Sequence, residues 1–509
     1  MLETIERSIE KEAKKRIKKY RAELVRSKYS RTRYRKRTGI PGAVSSRKKP
    51  KLWDIDKHFD PKYCIKHSKF LAKGIWNSIQ KDKYSPRPAV EFEFDKPNGG
   101  KRNIHIFSIP DAAVSNAFAY RLIKRNEKSF SASSFAYRHD KTPLDAIIHI
   151  KRLISDEKTF VVSYDFSKYF DNITKEHLTT SVLSKNNDML TTHAERAVIR
   201  GFLKHRFAKP TDYKLGNFEF ANKGVPQGTS ISLFLANIAA HELDTSLDRI
   251  NGGFARFADD TIIVTQSYED AIRTQDIFYN FAGNSGISIN EDKSIGIRLL
   301  SDKDAEIKSC QSIQFLGYSI GKRKTSLSDR SVSSIKRRIS KTIYNHLLYY
   351  PRKVGHFNSS RVGPGFFDWD LVTCINDIRR FIYGTVREKV IRDNLNKKTT
   401  FKKFRGVMSY YCLVDDIKQL TELDGWLVDV IHRAYKERCK LLSTSYGISQ
   451  PSLTSSDILS GSWYAYPAIG KQIETQCPSF VVSWRTARKY WSRKGIAGVE
   501  IPKDVYTYF

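Results

Sequence analysis

Two adjacent aspartates interrupt a strand-forming stretch of the sequence, FARFADDTIIVT at residues 254–265. Apolar runs lie on both sides, so we expect a hairpin that reverses direction at Asp259 and Asp260. Uncompensated charge beside a largely buried sheet is costly. The pair therefore has two readings: a solvated, exposed turn, or a site that binds a positive partner. The apolar flanks favour the second reading, with a divalent cation as the partner.

A third carboxylate follows another β run. Val161 to Tyr164 is strand-like, and Asp165 closes it. An ordinary strand-end turn or helix N-cap is the alternative role for this residue. If Asp165 and Asp259 meet, they can bind two metal ions, one activating an attacking hydroxyl and the other stabilising a leaving pyrophosphate.

The net charge indicates the kind of partner. The chain has 509 residues with 89 Lys and Arg against 54 Asp and Glu, a formal charge of +35. Such a surface attracts polyanions, so nucleic acid is the first expected partner and an acidic membrane surface the second. The six cysteines form no Cys-x-x-Cys pair, which argues against a zinc ribbon or a disulfide framework. Without a secretory signal or a long apolar segment, we expect a cytoplasmic protein.

The N-terminal segment combines a helical pattern with a basic run. Apolar residues recur every three or four positions over about the first 25 residues, which predicts an amphipathic helix. Arginines, lysines and two tyrosines alternate over residues 26–37. That alternation suits contact with nucleic acid, and a disordered, solvated tail is the alternative.

The rest of the chain alternates strand and helix before becoming mostly helical. Two alternating runs flank Pro97-Asn-Gly-Gly100, which predicts a hairpin. Short β runs alternate with helical segments between 158 and 320, and the chain beyond 330 is helical and basic, with a linker expected near 351–365 and no clear periodicity in the last sixty residues. The sequence thus predicts an α+β core followed by a helical region.

Four motifs in a fixed order carry a family resemblance: SYDFSKYFDNI, GVPQGTSISLFLANIAAHELD, FADD and FLGYSI. In this order they resemble bacterial reverse transcriptases, similar to group II intron maturases, retron enzymes and solitary anti-phage-defence enzymes. The resemblance covers about 85–320, and more loosely the helices to about 420. It implies a right-hand polymerase with a basic N-terminal helical extension (1–55), fingers (56–157), a palm whose antiparallel sheet carries the Asp hairpin (158–325), a helical thumb (326–420) and a C-terminal aromatic and basic extension (421–509).

The resemblance also assigns catalytic and metal-binding residues. It implies two Mg²⁺ ions and a catalytic trio of Asp165, Asp259 and Asp260, with Phe166 added to the metal-binding set. Asp259 is expected to be the direct ligand of both ions, and Asp260 to lie at the margin of the site. The resemblance places a primer grip at Phe315, Leu316 and Gly317.

Further residues are implied to bind the incoming nucleotide: Lys101, Arg102, Arg138, Phe170, Gln227 and Lys293. A ring at Phe170 leaves no room for a 2′-hydroxyl, although ordinary core packing is the alternative. Lys293, which could protonate the departing pyrophosphate, is otherwise a surface lysine. Gln227 is expected to touch the template base or nascent pair, in a loop whose glycines let a nucleic-acid strand approach closely.

Departures from the family pattern narrow the subtype. Ser232 is followed by Leu233 where Ser-Pro is usual, and the metal hairpin reads Phe-Ala-Asp-Asp where Tyr-Ala-Asp-Asp is more common. No paired-cysteine nuclease module follows the thumb. We therefore expect a defence-type enzyme that copies a dedicated non-coding RNA into DNA. Priming on Tyr506 or Tyr508 is a further hypothesis, and assembly of subunits stays open.

Two rival functions also stay open. The first is an RNA-making polymerase on the same palm, against which Phe170 argues. The second is a catalytically idle RNA-binding or splicing-helper protein, against which the intact trio argues.

Overall fold

The computed structural model describes residues 1–42, 48–95, 101–183, 189–292, 294–303, 306–363, 367–396, 403–464 and 473–501, without the side chains of 182 and 183. The chain forms two compact units. The first comprises Met1–Arg26 and Ser46–Cys310, and the second Ser27–Ser45 and Gln311–Phe509. The five-part division into extension, fingers, palm, thumb and C-terminal extension stays a prediction.

The strands of the first unit are β1 (Ala89–Asp95), β2 (Lys101–Ile106), β3 (Phe160–Asp165), β4 (Arg206–Ala208), β5 (Glu219–Phe220), β6 (Gly252–Phe257), β7 (Asp260–Thr265), β8 (Ile295–Leu300) and β9 (Ser309–Cys310). Its helices are α1 (Leu2–Thr38, which continues into the second unit), α2 (Pro61–Lys66), α3 (Ser68–Gln80), α4 (Ile109–Arg125), α5 (Pro143–Leu153), α6 (Tyr169–Asn172), α7 (Lys175–Leu183), α8 (His193–Leu203), α9 (Pro210–Leu215), α10 (Ser230–Ala239), α11 (His241–Leu247) and α12 (Tyr268–Ser285).

A five-stranded sheet in the order β6-β7-β3-β8-β9 carries the predicted hairpin. β3 pairs antiparallel with both β7 and β8. Alternate residues of β3 point to the same face, and Tyr164 stacks on Phe278 of α12 with ring centroids 4.1 Å apart. The sheet is therefore anchored to a helix on one face. The predicted α+β class and the antiparallel sheet with the Asp hairpin are confirmed.

A second sheet has the order β2-β1-β4-β5. β1 and β2 pair antiparallel from Val90 opposite Ile106 to Asp95 opposite Lys101. This register confirms the two strands of the predicted hairpin, and its turn at 96–100 lies outside the described residues.

The first helix is longer than predicted. Ile5, Ile9 and Ala13 are buried in the core of the first unit, as the amphipathic pattern requires. The helix does not end near residue 25 but runs to Thr38, because arginine and lysine are good helix formers. The disordered-tail alternative for 26–37 is therefore wrong. One arginine of the run, Arg37, is buried and pairs with Asp370 at 3.2 Å, so it is not available to nucleic acid.

The strands of the second unit are β10 (Ile313–Phe315), β11 (Tyr318–Ile320), β12 (Thr325–Leu327), β13 (Val362–Gly363) and β14 (Phe367–Asp368). Its helices, besides the end of α1, are α13 (Asp329–Ile343), α14 (Trp369–Tyr383), α15 (Glu388–Asn396), α16 (Ile417–Tyr446), α17 (Ser455–Ser460) and α18 (Phe480–Lys494). Two π-helical turns, Tyr344–Leu348 and Tyr350–Val354, follow α13, and the second enters the segment predicted as a linker.

Buried ion pairs stabilise the second unit. Arg438 contacts Asp368 at 2.6 Å and Asp370 at 3.0 Å, and Arg361 contacts Asp370 at 2.7 Å. Burial by itself would raise the pKa of Asp370, but the surrounding arginines hold it below its ordinary value. Asp370 therefore stays ionised inside the unit.

Several of the described C-terminal aromatic residues are buried. Trp463, Trp484 and Tyr490 are buried, and the last two lie on α18, a helix that the sequence analysis missed. All six cysteines are free, which agrees with the expectation of no disulfide framework. Among the described helices, none has both the length and the apolar character needed to span a bilayer.

Candidate active site

The predicted carboxylates of two strands are direct neighbours. Asp165 ends β3, Asp260 begins β7, and the two are opposite each other in the antiparallel ladder. Opposed residues have Cβ atoms about 4.5–5.5 Å apart, and like charges at such positions repel. Asp259 occupies the preceding turn, and all three residues are half-buried. The structure thus brings the trio together in an arrangement that a cation would stabilise.

The turn before Asp259 has an unusual backbone. Ala258 has a φ of +62°, a conformation that a non-glycine residue adopts only when its surroundings hold it. The Arg256 guanidinium donates to the carbonyl oxygen of Ala258 at 3.0 Å. This contact ties the turn to the strand that precedes it.

Arg256 is the centre of a fully buried network. Its Nε and Nη2 atoms each donate to an Asp244 carboxylate oxygen at 2.6 Å, and Nη2 also donates to Ser134 at 2.9 Å. Its main chain accepts from the nitrogen of Phe135 at 2.9 Å. Burial would lower the pKa of Arg256, but Asp244 raises it well above its ordinary value. A permanently charged arginine therefore joins the hairpin to α11 and to residues 133–135.

The sequence analysis missed Arg256 and Asp244 as site residues. The available signal was an arginine inside a strand of otherwise apolar residues, since such a residue is rarely buried without a partner.

The other end of the site is held through Asp165. Asn290 donates its main-chain N–H to the carbonyl oxygen of Asp165 at 2.8 Å, and its side-chain amide to the Asp165 carboxylate at 3.3 Å. The main-chain N–H of Asp165 donates to the Ser294 hydroxyl oxygen at 3.2 Å. Asn290 and Ser294 therefore orient Asp165. Lys293, which was predicted to bind the nucleotide, lies outside the described residues.

Phe166 has a buried side chain. Its ring stacks on Tyr169 at 5.4 Å between centroids and packs near Phe278 at 5.9 Å. Only its main chain could serve as a metal ligand, and that role stays a prediction.

Phe170 and Gln227 are positioned by protein contacts. The Phe170 ring is half-buried and meets the edge of Tyr137 at 6.3 Å. The Gln227 amide donates to Asp171 at 2.5 Å and accepts from Arg102. Because both ends of the amide are bonded, its orientation is fixed. Arg102 and Gln227, predicted separately, are therefore direct partners.

The glycines around Gln227 are needed for contacts within the protein. A Cβ at Gly228 would lie 2.7 Å from the His105 carbonyl oxygen, and one at Gly224 would lie 2.8 Å from that of Phe170. Both glycines also have positive φ. The sequence predicted that a nucleic-acid strand approaches these glycines closely. In the structure, other parts of the protein main chain lie against them.

A histidine pair supports this loop. His105 donates its main-chain N–H to the Gln227 carbonyl at 3.0 Å. The His105 Nδ1 lies 2.8 Å from His205 Nε2, and His205 Nδ1 lies 2.8 Å from the carbonyl oxygen of Phe202. Burial, together with His105, lowers the pKa of His205 to about 4. The pair is therefore uncharged near neutral pH.

The remaining predicted basic residues differ in their surroundings. Lys101 pairs with Glu93 at 2.6 Å on the exposed hairpin. Arg138 is almost fully buried and donates to Asp140 at 2.7 Å, to the Ser131 carbonyl at 2.9 Å and to the Glu127 carbonyl at 2.9 Å. These bonds give Arg138 a structural role in its loop, and its contact with a triphosphate stays a prediction.

The predicted primer grip lies in the second unit, at the turn between β10 and β11. Leu316 and Gly317 have positive φ. Tyr410 donates to the Leu316 carbonyl at 2.8 Å, and Ser331 to that of Gly317 at 2.9 Å. Phe315 is buried. Tyr506 and Tyr508, the candidates for priming, lie outside the described residues.

The carboxylates at the Asp hairpin supply only some of the oxygen ligands that a magnesium ion needs. Within the described ranges, no three His, Cys, Asp or Glu side chains are gathered into a ready metal cluster. Magnesium at phosphoryl-transfer sites is usually held by one or two carboxylates together with water and substrate phosphates. Asp165 and Asp259 meet that requirement, so the residues fit a metal that arrives with the substrate.

Comparison with known proteins agrees with this geometry. Residues 94–320 match the family model described as reverse transcriptase (RNA-dependent DNA polymerase). This region contains the Asp trio and all five strands of the sheet that carries it.

Two relatives are similar over part of the chain. Protein YkfC of Escherichia coli (strain K12) is 28% identical over 179 residues, 34% of this chain and 44% of the relative. The group II intron-encoded protein LtrA of Lactococcus lactis subsp. cremoris is 29% identical over 185 residues, 36% of this chain and 29% of the relative. The matched region thus spans less than half of either relative. Over about a third of its length, the chain is therefore similar to a group II intron-encoded protein and to a second bacterial protein.

A solved structure, apo telomerase from Candida tropicalis, is also similar, with a TM-score of 0.41 and 11% identity over 74% of this chain and 63% of that chain.

We predict that Arg256→Met destabilises the first unit by about 3–5 kcal/mol, because it leaves the Asp244 carboxylate buried without its partner. Urea denaturation of the purified protein measures this loss. The matched control is Arg273→Met, which breaks an exposed pair with Glu269 at 2.6 Å and should cost less than about 1 kcal/mol. Equal effects of the two substitutions would contradict a structural role for Arg256.

Proposed function

We propose that the protein is an RNA-templated DNA polymerase that adds deoxynucleotides by two-metal phosphoryl transfer. The observation that carries the proposal is the cross-strand pair of Asp165 and Asp260 with Asp259 in the adjoining turn, inside the region that matches the reverse transcriptase family. Carboxylates gathered at one edge of a sheet are the ligands that a metal-dependent polymerase requires. This argument favours the enzyme over the idle splicing-helper alternative.

The Asp trio and Arg256 have different roles in this proposal. Asp165 and Asp259 hold the metal ions, and Asp260 adds negative field at the margin. When bound, the ions would lower the pKa of the primer hydroxyl and neutralise negative charge on the phosphates. Arg256 keeps the turn at Ala258 in place through its bond to that carbonyl.

The nucleotide side of the site depends on a small number of oriented groups. Gln227, held by Arg102 and Asp171, contacts the template base or the nascent pair. Phe170 excludes a 2′-hydroxyl and so selects deoxynucleotides over ribonucleotides. This selection separates the proposal from an RNA-making polymerase.

We further propose that the template is a dedicated non-coding RNA and that the DNA product acts in anti-phage defence, in the cytoplasm. The net charge of +35 supports RNA binding. The departures from intron and retron motifs support the defence subtype.

Asp259→Asn should lower the rate of dNTP incorporation at least about 10²-fold, since charge stabilisation by a metal is worth several kcal/mol. Asp260→Asn should cause a smaller loss. A primer-extension assay on an RNA template at saturating dNTP measures both. The melting temperature of either variant should match or exceed that of the wild type, because each removes a like charge. Equal tolerance at the two positions would contradict the assigned roles.

Phe170→Val should reduce discrimination against ribonucleotides by about 10–200-fold, the range expected when a small steric contact is lost. The measurement is the ratio of kcat/KM for dNTP and NTP on the same primer and template. Phe170→Tyr keeps the ring and should keep the ratio. If the wild type incorporates ribonucleotides preferentially, the RNA-making alternative is correct.

Nucleic acid that copurifies with the protein should contain one abundant RNA species and DNA complementary to it. Sequencing of both fractions gives the template. The Asp259→Asn protein is the control and should retain the RNA while losing the DNA. A mixture of unrelated cellular RNAs without complementary DNA would contradict the dedicated template.

A further inference from the structure

A cavity of about 490 Å³ opens in the first unit, apart from the residues of the candidate active site. Its walls come from α3, the segment 84–88 and Arg206 at the start of β4. Cavities of about 300–1,000 Å³ are typical of sites for small organic ligands. None of the residues assigned above to metal, nucleotide or primer lines it.

A glycine in the middle of α3 helps to form the cavity. Gly74 is unfavourable inside a helix, because glycine loses more backbone freedom than any other residue. A Cβ at Gly74 would have no atom within 4 Å, so no neighbouring group requires the glycine. The space left by the missing side chain belongs to the cavity. One turn earlier, the Phe70 side chain lines the cavity while remaining 74% exposed.

Three cations line the same space: Lys57, Arg87 and Arg206. The Lys57 ammonium lies 5.5 Å from the centroid of the Tyr63 ring, which is also part of the lining. The Arg206 guanidinium lies 5.5 Å from the ring of Phe218. Arg87 interacts electrostatically with Asp56 and Asp111. Among the described residues, no ion pair within 4 Å joins Lys57 or Arg206 to a carboxylate, so their charges can be used by an anionic ligand.

The acidic residue of the lining, Asp111, is held within the wall and interacts electrostatically with one of the cations, Arg87. Asp111 is buried, and its carboxylate accepts from Tyr84 at 2.8 Å, from Ser108 at 2.6 Å and from the main-chain N–H of Arg87 at 3.1 Å. These bonds occupy it within the wall. The accessible groups are therefore cations and aromatic rings.

We propose that this cavity binds a nucleotide of single-stranded RNA, with its base against the exposed ring of Phe70 and its phosphates at Lys57, Arg87 and Arg206. Aromatic platforms beside cations are the usual means of holding single strands, and bases of a duplex are not free to stack in this way. The inference rests on the proposed function in taking RNA as the bound nucleic acid. It adds a contact away from the site of synthesis that would hold the RNA during copying.

The test is to fill the cavity at Gly74. Gly74→Leu should weaken binding of a labelled single-stranded RNA oligonucleotide by about 5- to 150-fold, which corresponds to the loss of one stacked base. Fluorescence anisotropy without dNTP gives the dissociation constant. An RNA carrying 4-thiouridine should crosslink to the peptide that contains Tyr63 and Phe70 in the wild type, and lose that crosslink in Gly74→Leu.

Two controls separate cavity filling from misfolding. Gly74→Ala adds one methyl group to the same helix and should leave RNA binding nearly unchanged. Gly283→Leu makes the matched change in α12, where a Cβ also meets no atom within 4 Å, and should bind RNA like the wild type. Both leucine variants should melt at or above the wild-type temperature, since leucine favours a helix more than glycine does.

Wild-type RNA affinity in Gly74→Leu, or crosslinks only outside the cavity, would overturn the proposal. A defect confined to a DNA oligonucleotide or to a free nucleotide would overturn the assignment to RNA. Because binding is measured without synthesis, the result does not depend on catalysis. If Asp259→Asn leaves primer extension unchanged, the proposed function fails while this binding result still stands.

Discussion

The buried ion pair between Arg256 and Asp244 holds the candidate site in its geometry. Both side chains are fully buried, so the cost of removing them from water has to be offset by their own bonds. The bidentate contact does this, and the remaining donors of Arg256 reach Ser134 and the Ala258 carbonyl. One cation thus joins a helix, a loop and the turn that presents Asp259.

This arrangement explains how carboxylates can lie beside an apolar sheet. The permanent positive charge of Arg256 is behind the turn, and it is satisfied by Asp244 rather than by the Asp trio. In the proposed function, the trio contributes the carboxylates that hold a metal ion arriving with the substrate. Asn290 orients Asp165 from the opposite side. Contacts within the protein also orient Gln227. Its amide, which is otherwise free to rotate, is fixed by Arg102 and Asp171.

Local patterns in the sequence were enough to predict the hairpin, the strand that ends at Asp165 and their place in an α+β core. Alternating apolar residues specify strands and their buried face, and an abrupt pair of charges marks the turn. The adjacency of Asp165 and Asp260 follows from that pairing.

Long-range partners were not predictable in this way. An arginine that will be buried looks the same in a sequence as one on the surface. Arg256 was therefore missed, Arg37 was assigned to the run expected to contact nucleic acid, and the structural bonds of Arg138 were not foreseen. The basic half of α1 lacks apolar residues at helical spacing, although its residues favour a helix. The helix α18 was missed because its buried residues include Trp484 and Tyr490 among many basic neighbours.

The most direct test is a structure of the protein with an RNA template, a DNA primer, an incoming dNTP and Mg²⁺. The account predicts metal density between Asp165 and Asp259, with Asp260 at its margin and the contact between Arg256 and Asp244 unchanged. Metal bound elsewhere, or a hairpin whose turn separates from Arg256 when substrate binds, would contradict it.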